Sequence, residues 1–491
     1  MRILEILILA TVPPTILGFL FQIPSSWTLI LVAVTTALII LHLFIEGYRW
    51  QMIPAYVLST ILLLIAVGSI ALNLPAPAAL WRIVGTILGL FFFTIAVGLP
   101  LLFPIFQLPA PTGPYSVGTT LFNVLDHTRK EISAKNPNDD GDVVVQAWYP
   151  TDEAVGKPAA YLANGSFPWD WLRLVPTHAV LNAPVSSNQA SYPVLTFAHG
   201  GGFMAVQNSI QMQEFASHGY IILSISHIID SVVTIYPDGH TDGRSLTQAW
   251  KDMKPVLTDN NNAFKTAATL KHSNGGNRLS IDEKRVIMQQ VFEENRIALQ
   301  VINRRANDAY AVIDYLEKLN QEAGNHLLSG RLDMDRLGIL GHSNGGAVAV
   351  NVAMNDSRIK AVINMDGYIF GDVFNSGLQQ PFMSMNKEGD QGRDDVVYEQ
   401  IEAPAYSVTI QGANHFNFMD IYLWMPLFNS RYLGSINPQR AVEIVNRYTL
   451  AFFEKHLRNQ DDFLLGSFGK INKCSTRNCL KRNPKNNIIS P

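Results

Sequence analysis

The chain has 491 residues, with 37 Lys and Arg against 40 Asp and Glu, 12 His and two Cys, for a formal charge of −3. Near-neutrality excludes the basic excess of a nucleic-acid binder, and so few cysteines exclude a disulfide-stapled scaffold or a cysteine-rich zinc module. Charged residues make up only 16% and mean hydropathy is +0.11, so part of the chain is expected to lie in lipid rather than behind a water-facing surface.

That part is the front. Residues 1–110 hold five charged side chains, Arg2, Glu5, Glu46, Arg49 and Arg82. Four windows, 3–22, 28–45, 52–72 and 83–106, approach the ~20 apolar residues that cross a bilayer core as a helix. Trp27, Trp50 and Trp81 stand at window edges, where an indole prefers the headgroup zone. Glu5 and Pro13-Pro14 interrupt the first window, which a cleaved signal peptide would also explain. The lack of a small-residue cleavage site and the three windows that follow favour a retained multi-pass anchor over residues 1–108. Arg2 and Arg49 against Arg82 bias the following chain toward the cytoplasmic side. No window carries a charge near its centre, so a tether is expected rather than a transporter.

A Pro/Gly-rich linker at 109–114 opens a second region, 109–468, where short β-branched runs alternate with helical periods. Strands are expected at 143–149, 194–198, 220–226, 336–340, 360–365 and 406–411, and helices at 289–319, 347–354 and 439–457. Such alternation predicts a mostly parallel sheet covered on both faces, with its ligand site at the carboxyl ends of the strands. Residues 228–277, polar and without period, read as a surface excursion. The basic tail 469–491, with Cys474 and Cys479, reads as disordered.

After the strand at 336–340 comes Gly341-His342-Ser343-Asn344-Gly345-Gly346 and a helix of small residues. This is G-x-S-x-G in strand, turn, helix context, where glycines permit a sharp turn that lifts the serine above the sheet edge. A serine hydroxyl needs a base to take its proton and an acid to orient that base. In this architecture the order is Ser, then Asp or Glu, then His, each after a strand. Asp366 and His415 fit that order, whereas Asp356 and Asp372 do not end a strand, and His342 and His199 suit supporting roles. The strand at 194–198 runs into His199-Gly200-Gly201-Gly202, so the amides of Gly201 and Asn344 are the expected oxyanion donors.

Thr112-Gly113-Pro114-Tyr115-Ser116-Val117-Gly118, Asp126-His127-Thr128, Trp148-Tyr149-Pro150, Phe197-Ala198-His199-Gly200, Phe215-Ala216-Ser217-His218-Gly219-Tyr220, Gly341-His342-Ser343 and His415-Phe416-Asn417-Phe418 together resemble the plasma-type (isoform II) platelet-activating factor acetylhydrolase family. The likeness runs over about 112–456 and places Ser343, Asp366 and His415 at the family's triad and Gly201 and Asn344 at its oxyanion amides. It implies an α/β-hydrolase fold, here behind about four transmembrane helices, and hydrolysis of short or oxidised sn-2 acyl chains of phospholipids without metal or cofactor. The expected partners are an ester or phospholipid and the bilayer, with no nucleic acid; oligomeric state is open. Two features depart from the family. Its turn usually reads His-Gly-x-Gly with a bulky middle residue, and its secreted animal members lack the apolar windows. The bare Gly200-Gly201-Gly202 is similar to the HGGG carboxylesterases, which typically have an acid where this chain has His342. A general carboxylesterase or lipase is therefore the alternative, and a non-catalytic membrane scaffold is the reading a broken triad would require.

Overall fold

The computed structural model of the chain describes residues 1–130, 140–242, 279–466 and 488–489, apart from 154–155, 166, 229, 323, 325, 370, 372, 391–392, 429–431 and 462. It separates into two compact units: Met1–Gln107 with Phe167–Val175 and Leu423–Phe428, and the rest.

The first unit is built on α1 (Ile3–Phe21), α2 (Ser25–Ile45), α3 (Ile53–Ala71) and α4 (Ala79–Leu102), each within a segment long and apolar enough to cross a membrane. Helices α1 and α3 each pack on both α2 and α4. Val12, Ile16, Val32, Leu58 and Leu62 meet inside, while Phe44, Leu72, Trp81, Ile87 and Phe91 point outward and stay exposed. A bundle apolar on both its inner and outer faces has the pattern of helices surrounded by lipid.

Helix α1 runs unbroken through Glu5 and Pro13-Pro14. Glu5 is tolerated because four of the region's five charges gather at one end of the bundle. Arg2 Nε donates to Glu5 Oε1 at 2.9 Å and Arg49 Nη2 to Glu5 Oε2 at 3.0 Å. Arg2 also lies 3.6 Å from Glu46, which meets His42 Nδ1 at 2.9 Å and accepts the Leu4 N–H at 3.0 Å. Arg82 is at the opposite end, donating to the Leu20 carbonyl at 2.8 Å. The two later segments join this unit through aromatic rings: Trp50 meets Phe103 and Phe167, and Trp169 meets Trp424. Sequence alone puts both segments in the region 109–468, because their affinity for the bundle depends on rings that are remote along the chain.

The second unit centres on an eleven-stranded sheet among the described residues. Its strands are β1 (Ser116–Lys130), β2 (Asp140–Thr151), β3 (Pro158–Ala160), β4 (Pro176–Leu181), β5 (Tyr192–Ala198), β6 (Ile221–Ser226), β7 (Leu332–His342), β8 (Ile359–Met365), β9 (Phe382–Lys387), β10 (Ala405–Ile410) and β11 (Ile488–Ile489). The order is β11-β10-β9-β8-β7-β5-β6-β2-β1-β4-β3. From β11 to β6 every pair is parallel, and β2 turns antiparallel against both β6 and β1. β5 and β6 are buried at every position, as strands covered on both faces must be. The covering helices include α5 (Ser209–Ser217), α6 (Ile281–Glu294), α7 (Arg296–Gln321), α8 (Asn344–Asn355) and α9 (Pro438–Arg458).

Six strands fall where the hydrophobic runs predict them. The other five, β1, β3, β4, β9 and β11, are not predicted: Thr119, Thr120 and Asn123 break up β1, the Met-Ser-Met-Asn run of β9 lacks β-branched side chains, and the remaining three are short. The expected helix 289–319 is two helices, broken at Asn295. The excursion at 228–277 begins with a small ribbon of Thr234–Ile235 and Thr241–Asp242; 243–277, and in the tail 469–487 with Cys474 and Cys479, lie outside the described residues.

Two of the motifs that carry the family resemblance turn out to be partners of each other. Thr112 N–H donates to Glu214 at 2.9 Å, Gly113 N–H to Ser217 Oγ at 3.1 Å, and Tyr115 N–H to the Ser217 carbonyl at 3.0 Å. A Cβ on Gly113 would lie 2.2 Å from that carbonyl oxygen, so the glycine is required by close approach. Their job is to fasten the start of the unit to α5.

Glu5→Ala would leave the fully buried Arg49 without its carboxylate, a change that costs about 3–5 kcal/mol when one partner of a buried pair is removed. Thermal unfolding of the full chain in detergent, followed by tryptophan fluorescence, is expected to show that loss, with Glu5→Gln intermediate.

Candidate active site

Strand β7 ends at His342, and Ser343 turns out of it with φ +56° and ψ −124°, a backbone region costly for any residue with a Cβ. The cost is met by packing. Ser343 N–H donates to the Met365 carbonyl at 2.9 Å, and three glycines let the chain pass through the space. A Cβ on Gly341 would lie 2.1 Å from Gly345 O, on Gly345 1.9 Å from Ala198 O, and on Gly367 2.2 Å from Ser343 O. Helix α8 starts at the next residue, Asn344.

His415 opens a turn beyond β10, and its N–H donates to Asn414 Oδ1 at 2.8 Å. Its Nε2 lies 3.0 Å from Ser343 Oγ and its Nδ1 2.6 Å from Asp366 Oδ2. Asp366 stands just past β8, and its second oxygen accepts the Lys387 N–H at 3.1 Å. Arg393 Nη1 is 3.5 Å and Lys387 Nζ 3.9 Å from the carboxylate. Burial alone would push the Asp366 carboxyl up, but the hydrogen bond and charge of His415, then Arg393 and Lys387, hold it well below the usual carboxylate range. The structure thus brings Ser343, Asp366 and His415 into one hydrogen-bonded line. Asp356 is elsewhere, paired with Arg358 at 2.6 Å, and Asp372 lies outside the described residues.

Past β5, Gly200 to Phe203 form a turn closed by the Phe203 N–H donating to the Gly200 carbonyl at 3.3 Å. Gly202 has φ +72°, the left-handed geometry that such a turn requires at its third position. A Cβ on Gly201 would lie 2.5 Å from Asn344 Nδ2, so the residues named for their amides are neighbours beside Ser343. His342 links the two sides of the site. Its Nε2 donates to the His415 carbonyl at 3.1 Å, and its Nδ1 accepts from Gln207 Nε2 at 3.2 Å. Burial, with His415 alongside, pushes His342 down to about 3, so the ring stays neutral and this tautomer holds. Phe203 and Phe416 meet edge to face at 6.0 Å, and Phe416 meets Tyr432 at 5.9 Å.

Three supporting groups are not evident from the sequence. Gln207 accepts the Gly200 N–H at 3.0 Å. Arg393 lies between Asp390 and Asp394 and reaches the Gly367 carbonyl at 3.0 Å. Asp420 accepts from Tyr161 Oη at 2.9 Å and from Ile210 N–H at 3.1 Å, while its own N–H donates to Gln207 O at 2.9 Å. Only Asp420, a charge inside the apolar run Phe418 to Trp424, gives any hint in the sequence. Among the described residues, one group brings potential metal donors together, Glu5, His42 and Glu46 within 4.8 Å. Arg2 and Arg49 already neutralise its carboxylates.

A family model described as platelet-activating factor acetylhydrolase, isoform II, matches residues 102–469. A platelet-activating factor acetylhydrolase of Cavia porcellus is 27% identical over 72% of this chain and 79% of its own length. A probable 1-alkyl-2-acetylglycerophosphocholine esterase of Arthroderma benhamiae is 22% identical over 73% of this chain and 90% of its own. The solved structure of a ferulic acid esterase from Streptomyces cinnamoneus superposes with a TM-score of 0.54 at 22% identity, covering 74% of this chain and 97% of that one. At that identity the likeness is one of fold, the α/β-hydrolase arrangement.

Asp420 gives the site's surroundings a pH dependence. Burial pushes its carboxyl up to about 8, against the donors of Ile210, Tyr161 and Ser209, so the folded chain holds a proton that the unfolded chain gives up near pH 3.9. Folding stability from this group is therefore lost progressively as pH rises from about 4 to about 8, and is constant above. The Tyr161 and Ile210 donors meet the same oxygen, so Asp420→Asn keeps those two bonds. The melting temperatures of variant and wild type should be close near pH 4.5, with the variant increasingly the more stable up to pH 8.5.

Proposed function

The chain belongs to the platelet-activating factor acetylhydrolase isoform II family and is a carboxylic ester hydrolase, and on that premise we propose that it cleaves short or oxidised sn-2 acyl esters of phospholipids by serine acyl transfer, anchored in a bilayer by α1–α4. The observation that carries this reading is the line from Ser343 Oγ through His415 to Asp366, at 3.0 and 2.6 Å.

In the first step His415 Nε2 takes the Ser343 proton as Oγ attacks the ester carbonyl. Asp366 fixes the imidazole by accepting from Nδ1, and its low carboxyl pKa keeps it an anion while His415 is cationic. The amides of Gly201 and Asn344 receive the oxyanion. The imidazolium then protonates the departing alcohol. Water, deprotonated by the same ring, releases the acyl group and returns the proton to Oγ. Every proton in the cycle passes through His415.

The anchor supports a lipid substrate by mass action, since a site held at a bilayer meets lipid esters at high effective concentration. The exposed apolar side chains around α1–α4 are the physical reason to put that unit in lipid.

Ser343→Ala in the full chain is expected to lower kcat on p-nitrophenyl acetate by ~10³-fold or more with unchanged circular dichroism. Full activity in that variant would refute the mechanism. For substrate class, the reconstituted enzyme should turn over sn-2 acetyl phospholipids in vesicles faster than their sn-2 palmitoyl counterparts. A preference for simple aryl esters, with no activity on vesicle lipids, would favour the general carboxylesterase.

A further inference from the structure

Gly200, Gly201 and Gly202 have no side chains to hold their peptide planes, yet an oxyanion donor is effective only when its N–H is aimed in advance. The Gly201 N–H belongs to the same planar trans peptide as the Gly200 carbonyl, and the two point in opposite directions. Whatever fixes that carbonyl also aims that N–H.

The Gly200 carbonyl is held from behind. Phe203 N–H donates to it at 3.3 Å within the turn. Arg305 Nη2, from α7, lies 3.4 Å from it and 3.0 Å from His199 Nδ1, while Nη1 donates to the preceding carbonyl, His199 O, at 2.9 Å. The His199 ring lies against the same carbonyl, with Nδ1 2.7 Å from Gly200 O, while its Nε2 accepts the His227 N–H at 3.2 Å. Burial, then Arg305 and His227, push His199 well below its ordinary value, which keeps the ring neutral.

Arg305 is fully buried and is itself fixed, with Nε 3.1 Å from Asp230 Oδ1. It occupies a core position of α7, in register with the buried Ala298, Ile302, Ala309 and Val312. An ion there is costly unless its geometry is used.

We propose that Arg305 is a positioning residue for the oxyanion hole: its planar fork grips two successive carbonyls, sets the Gly200–Gly201 peptide plane and polarises it, so that the Gly201 N–H faces the reacting oxygen as a stronger donor. This rests on the serine mechanism above. A guanidinium suits the task because its donors are coplanar and rigidly spaced, which a single ammonium cannot imitate. Cooperative polarisation adds to the aim, because a peptide that accepts a charged donor at its oxygen donates more strongly at its nitrogen. The Gly200 N–H is held too, by Gln207, so the His199–Gly200 peptide plane is tied at both ends and the Gly200–Gly201 plane at its carbonyl.

The test compares wild type, Arg305→Lys and the double variant Arg305→Gln with Asp230→Asn, all as full chains in detergent. The first keeps a cation beside Asp230 without the fork; the second removes both charges together. Each is measured for kcat and KM on p-nitrophenyl acetate and for the inhibition constant of a trifluoromethyl ketone, whose serine adduct carries an oxyanion. Loss of aim should lower kcat by about 10- to 100-fold with KM nearly unchanged, and weaken the ketone by the same factor. Melting curves identify the variant that is folded, and one folded variant suffices. A folded variant with wild-type kcat, or with reduced kcat but undiminished ketone affinity, overturns the proposal. Failure of the serine mechanism is a separate result, read as full activity in Ser343→Ala.

Discussion

A serine held at a positive backbone angle at the end of β7 is the constraint on which the site depends. That geometry is unfavourable by itself and persists only because β5, β7 and β8 press their chain ends together around it. Gly341, Gly345 and Gly367 stand where a single Cβ would fall about 2 Å from a neighbouring carbonyl oxygen. The same compression sets the sequence of roles across the sheet. The glycine turn proposed to receive the oxyanion follows β5, Ser343 follows β7, Asp366 follows β8 and His415 follows β10, all at carboxyl ends of parallel strands. Asn364 secures the corner by accepting the Gly367 N–H at 2.9 Å and donating to its carbonyl at 2.8 Å.

Around that corner, burial and charge divide similar side chains into different states. His342 and His199 are enclosed and neutral, which lets His342 donate to the His415 carbonyl while accepting from the Gln207 side chain. Asp366 is equally enclosed but faces cations and stays ionised, whereas Asp420, with only neutral donors, is pushed to hold its proton. Two buried arginines complete the arrangement, Arg393 beside the acid and Arg305 behind the oxyanion turn. The groups proposed to react are thus embedded in a shell of fixed polarity, which is what electrostatic preorganisation requires.

The sequence discloses what is local or periodic. Four apolar windows, the alternation of strands and helices, and the GxSxG turn are all short-range patterns, so they are legible without coordinates. Asp366 and His415 are legible as candidates because the first ends a hydrophobic run and the second follows a strand. What escapes is whatever depends on partners distant along the chain. Glu5 looks like a flaw in α1 until Arg49 is beside it. Arg305 reads as a stray charge in an apolar stripe until it meets the carbonyls of residues 199 and 200. The TGPYSVG motif, the most specific part of the resemblance, serves to dock against Glu214 and Ser217, a structural role that spacing cannot reveal.

The central claim is that one hydroxyl, activated by one imidazole, carries the chemistry, and covalent trapping tests it most directly. After treatment with a fluorophosphonate, intact mass and peptide mapping should find a single adduct per chain, on Ser343, forming in step with the loss of esterase activity. Complete inactivation with the adduct on another residue, or continued turnover by chains fully labelled at Ser343, would contradict the account.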